Sequence, residues 1–153
     1  MEKMKIMLVD DEERFLSTTQ KLMNKQGIDV VTATGGAEAL KMLRQKHIHV
    51  VILDVKMPGM DGNETLKAIK NEFPLVEVIM LTGHATVESA IDGLKSGATD
   101  YLMKPTEIDD LMAKVREAFQ KRLRMEEKIQ MAQSRTYMKS PREILKEAEK
   151  SQH

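Results

Sequence analysis

Five short apolar runs alternate with stretches of helical periodicity along the chain. Lys5 to Val9 (KIMLV) is a continuous β-prone run. Asp29 to Ala33 (DVVTA), Val50 to Leu53 (VVIL) and Val76 to Leu81 (VEVIML) are three more, and Tyr101 to Met103 (YLM) is a short fifth. Most of these runs read apolar on both faces, the mark of a parallel sheet covered on both sides. Between them the spacing predicts helices. Phe15, Leu16, Thr19, Leu22 and Met23 recur at three-to-four spacing, with Gly27 as the stop. Ala37, Leu40 and Leu43 mark a second helix after the Gly35-Gly36 turn, and Leu66, Ile69 and Phe73 a third, closed by Pro74. Val87, Ile91 and Leu94 mark a fourth, closed by Gly97. Ile108, Leu111, Met112, Val115, Ala118 and Phe119 mark a fifth. Strands alternating with helices of this length imply βαβ units, so the fold class is α/β.

The pattern changes near Phe119. From Gln120 to Tyr137 the chain is charged, with Leu123, Met125, Ile129 and Ala132 as sparse apolar points. Met125, Ile129 and Ala132 continue a near-heptad spacing with Ile108, Leu111, Val115 and Ala118, although Arg122 falls in the seam. The fifth helix is therefore expected to run on. Ser140-Pro141-Arg142-Glu143 has the form of a capping box with Pro at the first helical position, which predicts a short terminal helix over Pro141 to Lys150.

Composition narrows the function classes. Lys+Arg and Asp+Glu both number 24 in 153 residues, a formal charge of zero. A general nucleic-acid binder needs a basic surplus to displace counterions, so none is expected here. No cysteine is present, which excludes a disulfide framework, a thiolate zinc site and a Cys nucleophile. No apolar run reaches the roughly 18 residues of a membrane span, and the charged start MEKMKIMLVDDEE is not a secretory signal. A cytoplasmic protein is the expectation. Trp is absent while Met numbers 13, so the core is aliphatic and Met-filled.

The chemistry gathers where strands stop. Asp10 and Asp11 follow the first strand, and Asp54 follows the third. In an open α/β sheet ligands bind outside the carboxyl ends of the strands. If the first and third strands are neighbours, the three carboxylates converge, and like charges so crowded call for a cation. Mg²⁺, a hard ion that keeps several waters, suits such a site. Thr82 ends the fourth strand, and Lys104 follows the fifth. Three acids, a hydroxyl and an ammonium on one edge form a kit for a phosphoryl group, with one Asp as nucleophile. Each residue alone has a plainer reading: the acids favouring a helix N-terminus, Asp54 capping a turn, Lys104 in solvent.

Together these residues carry a resemblance. The acidic pair Asp10-Asp11, the segment from Asp54 to Gly62 (DVKMPGMDG), Leu81-Thr82-Gly83, and the segment from Gly97 to Pro105 (GATDYLMKP) resemble the receiver domain of two-component response regulators, most of all those of the nitrogen-regulator class. The resemblance covers about Lys5 to Phe119. It implies a flavodoxin-like (βα)5 three-layer sandwich with a parallel five-stranded sheet of order 2-1-3-4-5. Residues 1–119 would form the receiver and 120–153 a helical extension or linker. It implies that Asp54 accepts a phosphoryl group from a partner histidine kinase. Asp11, Asp54 and the backbone carbonyl of Lys56 would bind Mg²⁺, with Asp10 helping through water. Lys104 would pair with the phosphoryl oxygens. Thr82 would move to the phosphate and Tyr101 turn inward behind it, and the Lys104-Pro105 bond would be cis.

Further expectations follow. Lys56 and His84, two positions after Asp54 and Thr82, flank the water path and tune phosphoryl lifetime. His47 and His49 are expected in solvent. The partners would be a sensor kinase or phosphotransfer protein and a downstream protein target, with a homodimer through the fifth helix and extension as a further possibility. A competing class is a phosphatase of the haloacid-dehalogenase kind. It needs a second Asp two residues beyond the nucleophile, where Lys56 stands.

Overall fold

The computed structural model describes residues 3–83, 86–137 and 146. Among the described residues five strands, β1 (Lys5–Val9), β2 (Asp29–Ala33), β3 (Val50–Leu53), β4 (Glu77–Thr82) and β5 (Asp100–Met103), alternate with five helices. These are α1 (Glu13–Lys25), α2 (Gly36–Gln45), α3 (Gly62–Glu72), α4 (Val87–Lys95) and α5 (Ile108–Tyr137). All pairings are parallel and the sheet order is β2-β1-β3-β4-β5. The predicted α/β class and the order implied by the resemblance are both found. No helix among the described residues is long and apolar enough to cross a membrane.

Strand composition explains the layering. Every residue of β3 and β4 is buried, so this central pair needs cover on both faces. On one face Leu16 and Met23 of α1 and Leu111, Met112, Val115 and Ala118 of α5 pack on Ile6, Leu8, Ile52 and Ile79. On the other, Ala39, Leu40 and Leu43 of α2 and Leu66 and Ile69 of α3 pack on Met7, Val9, Val51 and Met80.

Register fixes the site. Val9 pairs with Leu53, so Asp10 and Asp54 leave the sheet side by side, and the Asp54 amide donates to the Val9 carbonyl at 3.0 Å. Thr82 pairs with Met103, and the Lys104 amide donates to the Thr82 carbonyl at 2.9 Å. The α3 start is pressed against the loop beyond Asp54. A Cβ on Gly62 would stand 2.2 Å from the Asp54 carbonyl oxygen, so only glycine fits.

Three sequence expectations need correction. Val87, Ile91 and Leu94, the stripe that predicts α4, point outward, with relative exposures of 79%, 46% and 49%. The face of α4 turned to the sheet carries Gly93 instead. His49 is fully buried, not solvated: its Nδ1 accepts the Lys5 amide at 3.0 Å and its ring meets Phe119 edge-on at 4.9 Å. His47 is exposed, as expected. Arg122 does not sit in a coiled-coil seam. It is buried, and its guanidinium donates to the carbonyls of Leu75 (3.0 Å) and Ile48 (3.4 Å).

The chain divides into two compact units, Met1–Arg122 and Leu123–His153. The second contains the outer part of α5. The anticipated capping box and terminal helix lie outside the described residues, apart from position 146.

Candidate functional site

Asp10, Asp11 and Asp54 each offer a carboxylate oxygen to one point, and these oxygens lie within 4.8 Å of one another. Asp10 and Asp54 are buried, while Asp11 is exposed. Asp10 is the most constrained. Its Oδ1 accepts the Glu12 amide at 2.9 Å, and its Oδ2 accepts from the Lys104 ammonium at 2.5 Å. Burial pushes the Asp10 carboxyl above the usual carboxylate range, and the charge of Asp54 adds to this. The Lys104 and Glu12 hydrogen bonds pull the other way without prevailing. Asp54 Oδ1 accepts the amide of Val55 at 2.8 Å.

An open, acidic cleft adjoins this point, lined by Asp11, Glu12, Asp54, Lys56, Met57, Pro58 and Asp61. Lys56 is exposed on its rim. Asp61 also caps α3, accepting the Glu64 amide at 2.8 Å. The donor set is all oxygen and carries excess negative charge, which suits a hard divalent cation that retains water. Three carboxylates face one ammonium, so the residues present fit a hard divalent cation.

The remaining predicted residues lie around this edge. Thr82 is fully buried at the end of β4. Lys104 is only 16% exposed and lies 3.7 Å from Glu12 in addition to its Asp10 contact. Its ammonium also stands 4.0 Å above the centre of the Phe15 ring, a cation–π contact. The Lys104-Pro105 peptide is cis. Tyr101 packs at the edge of the core with its hydroxyl 2.8 Å from Ser89 Oγ. His84 lies outside the described residues.

Sequence reasoning missed Phe15, Glu12, Asp61 and Ser89 as neighbours of these groups. Phe15 reads as core in a helical stripe, and only the fold brings Lys104 over it. Glu12 and Asp61 did carry a signal, as acids within the two loops already singled out. Ser89 carried none.

The family model described as response regulator receiver domain matches residues 6–116. The transcriptional regulatory protein ZraR of Klebsiella oxytoca is 39% identical over 117 residues, which cover 76% of this chain and 26% of that protein. The DNA-binding transcriptional regulator NtrC of Escherichia coli K12 is 36% identical over 113 residues, 74% of this chain and 24% of that protein. The chain thus spans about a quarter of the length of the curated relatives it matches. Among solved structures, a CheY-like response regulator receiver domain protein from Methanospirillum hungatei JF-1 superposes with a TM-score of 0.78 at 29% identity, covering 81% of this chain and 99% of that one. A receiver domain protein from Clostridium thermocellum gives 0.76 at 35% identity, covering 80% and 98%.

Proposed function

This chain belongs to the response regulator receiver domain family, and from that premise we propose that it is a phosphorylation switch whose acceptor is Asp54. The observation that carries the reading is the convergence of Asp10, Asp11 and Asp54 at one sheet edge with Lys104 beside them.

In the proposed transfer an Asp54 carboxylate oxygen attacks the phosphorus of a phosphohistidine on a sensor kinase or phosphotransfer protein. The P–N bond breaks, the imidazole leaves with the electron pair and takes up a proton, and an acyl phosphate forms. Water later attacks the phosphorus, the acyl O–P bond breaks, and carboxylate and inorganic phosphate are restored. Asp10, Asp11, Asp54 and the Lys56 carbonyl are the groups to hold Mg²⁺, which when bound neutralises charge on the phosphoryl oxygens. Lys104 exchanges its Asp10 partner for a phosphoryl oxygen, and the Thr82 hydroxyl donates to another. Lys56 and His84 tune the lifetime of the adduct. No separate catalyst is required, so the chain is a self-modifying signalling domain and not a turnover enzyme.

The output follows from the same contacts. Thr82 and Lys104 reach the phosphoryl group only if their strand-end loops shift, and Tyr101 turns inward as Thr82 moves. The surface of α4, β5 and α5 then changes shape and addresses a downstream protein. Val87, Ile91 and Met103, exposed there, suit a protein partner better than nucleic acid. The proposed receiver spans about residues 1–119, the described part of α5 beyond it would serve as a helical extension or linker, and the proposed setting is the cytoplasm. A homodimer through α5 and the extension is the accompanying proposal for assembly.

Incubation with acetyl phosphate and Mg²⁺, read by intact mass, tests the reading. One phosphoryl adduct is expected on the native chain and none on Asp54→Ala. An adduct that survives in Asp54→Ala overturns the assignment, and steady turnover of phosphomonoesters would favour a phosphatase instead.

A further inference from the structure

The helix α4 carries a seat for Tyr101, built from two residues one turn apart. At Gly93 an added Cβ would stand 3.3 Å from Tyr101 Cδ2 and 3.4 Å from Cε2, so the ring lies close against bare helix backbone. Gly is the poorest helix former after Pro, yet it occupies the interior of this nine-residue helix, and Gly93 is its one buried position. Four residues earlier, on the same helix face, Ser89 Oγ lies 2.8 Å from the Tyr101 hydroxyl.

The polarity of that contact follows from the other bonds of Ser89. Its Oγ accepts the Thr86 amide at 3.0 Å and donates to the Thr86 carbonyl at 3.1 Å. A serine hydroxyl has one proton and two lone pairs, so the lone pair left over receives the proton of Tyr101. Thr86 Oγ1 in turn caps the Ser89 amide at 3.0 Å. The phenol is thereby tied to the residues that begin α4, and the helix start and the β5 side chain form one hydrogen-bonded unit.

We propose that Ser89 and Gly93 are positioning residues that hold Tyr101 in its unphosphorylated place and so set the threshold of the switch. The proposal rests on the reading of Asp54 as phosphoacceptor with Thr82 and Tyr101 as the moving pair. In that scheme Tyr101 must leave Ser89 and the Gly93 notch before the phosphorylated state is reached. Any free energy holding it there lowers the apparent affinity for a phosphoryl group by the same factor. A hydrogen bond of ordinary strength corresponds to a factor of about 5.

The test uses the full chain and beryllofluoride with Mg²⁺ as phosphoryl mimic, with affinity read by calorimetry. Ser89→Ala is expected to bind the mimic about 5-fold more tightly than the native chain, and Ser89→Thr, which keeps the hydroxyl, to bind as the native chain does. In a Tyr101→Phe background, where the phenol proton is gone, Ser89→Ala should change affinity by less than about 2-fold, because the bond it removes no longer exists. Gly93→Ala should also tighten binding by crowding the ring, with thermal unfolding showing that α4 remains folded. Emission of Tyr101 in a Tyr137→Phe background, free of Trp and other Tyr, should report the same order of affinities. Unchanged affinity in Ser89→Ala overturns the proposal. So does a Ser89→Ala effect that persists undiminished in Tyr101→Phe, which assigns the serine to capping α4 alone. Failure of the native chain itself to bind beryllofluoride is a different result, and overturns the phosphoacceptor reading beneath the proposal.

Discussion

Replacing Asp10 by Asn should make the metal-free protein more stable at neutral pH, although Asp10 is ion-paired to Lys104. At an effective dielectric of about 20, attraction to Lys104 at 2.5 Å amounts to about 7 kcal/mol. Repulsion from Asp11 and Asp54, each within 4.8 Å, comes to at least about 3.5 kcal/mol apiece. Attraction and repulsion offset one another, and the desolvation of a buried carboxylate is left to decide the sign. That is why the Asp10 carboxyl titrates above its ordinary value of 3.8. A raised native pKa contributes stability that is fully present below the unfolded pKa and is lost as pH rises through the native one. Asn keeps one oxygen acceptor, enough for the Glu12 amide or for Lys104 but not for both, and avoids the desolvation of a charge. Asp10→Asn is therefore expected to gain about 1 kcal/mol, or roughly 3 °C in Tm, at pH 8. The gain should shrink as pH falls toward 4. Thermal and urea unfolding in EDTA at several pH values measure it. Added Mg²⁺ should raise the Tm of the native chain and do so less for the variant. A variant less stable at pH 8, or a gain that does not vary with pH, would refute the reasoning.

Other substitutions test other links. Gly62→Ala forces a Cβ against the backbone of Asp54 and Val55, and should cost about 3 kcal/mol in urea unfolding. Arg122→Met removes the donors to the Ile48 and Leu75 carbonyls and should cost about 2 kcal/mol by the same assay, with adduct formation at Asp54 retained. Ile91→Glu, on the outward face of α4, should leave stability within about 0.5 kcal/mol, whereas a core position would lose several times that.

The sequence made the framework legible because parallel strands and amphipathic helices leave different periods. Three of the five apolar runs match strands residue for residue, the fourth is shifted by one residue, and β5 gains only Asp100 at its start. The site was legible for a related reason: its groups stand at strand ends, where an open α/β sheet exposes chemistry. Strand order came from the resemblance and not from the pattern, since periodicity carries no pairing information. Periodicity also fails to say which way a stripe faces. Val87, Ile91 and Leu94 locate α4 correctly, yet the residues set against the sheet include Gly93, which no hydrophobic count would choose. His49 and Arg122 were misread because polar residues are ordinarily exposed. Both are buried here because backbone groups supply their hydrogen bonds, Lys5 for one and the Ile48 and Leu75 carbonyls for the other. The Lys104–Asp10 pair joins residues 94 positions apart, and only the fold brings them together.

The central claim is that a phosphoryl group is written on one carboxylate, and trapping that adduct tests it most directly. The chain is treated with acetyl phosphate and Mg²⁺, then with borohydride, which reduces an acyl phosphate to an alcohol, and its peptides are sequenced by mass spectrometry. Homoserine at position 54, dependent on both the phosphodonor and Mg²⁺, is the predicted result. Reduction at position 10 or 11, or no reduced residue despite a phosphorylated chain, would contradict it.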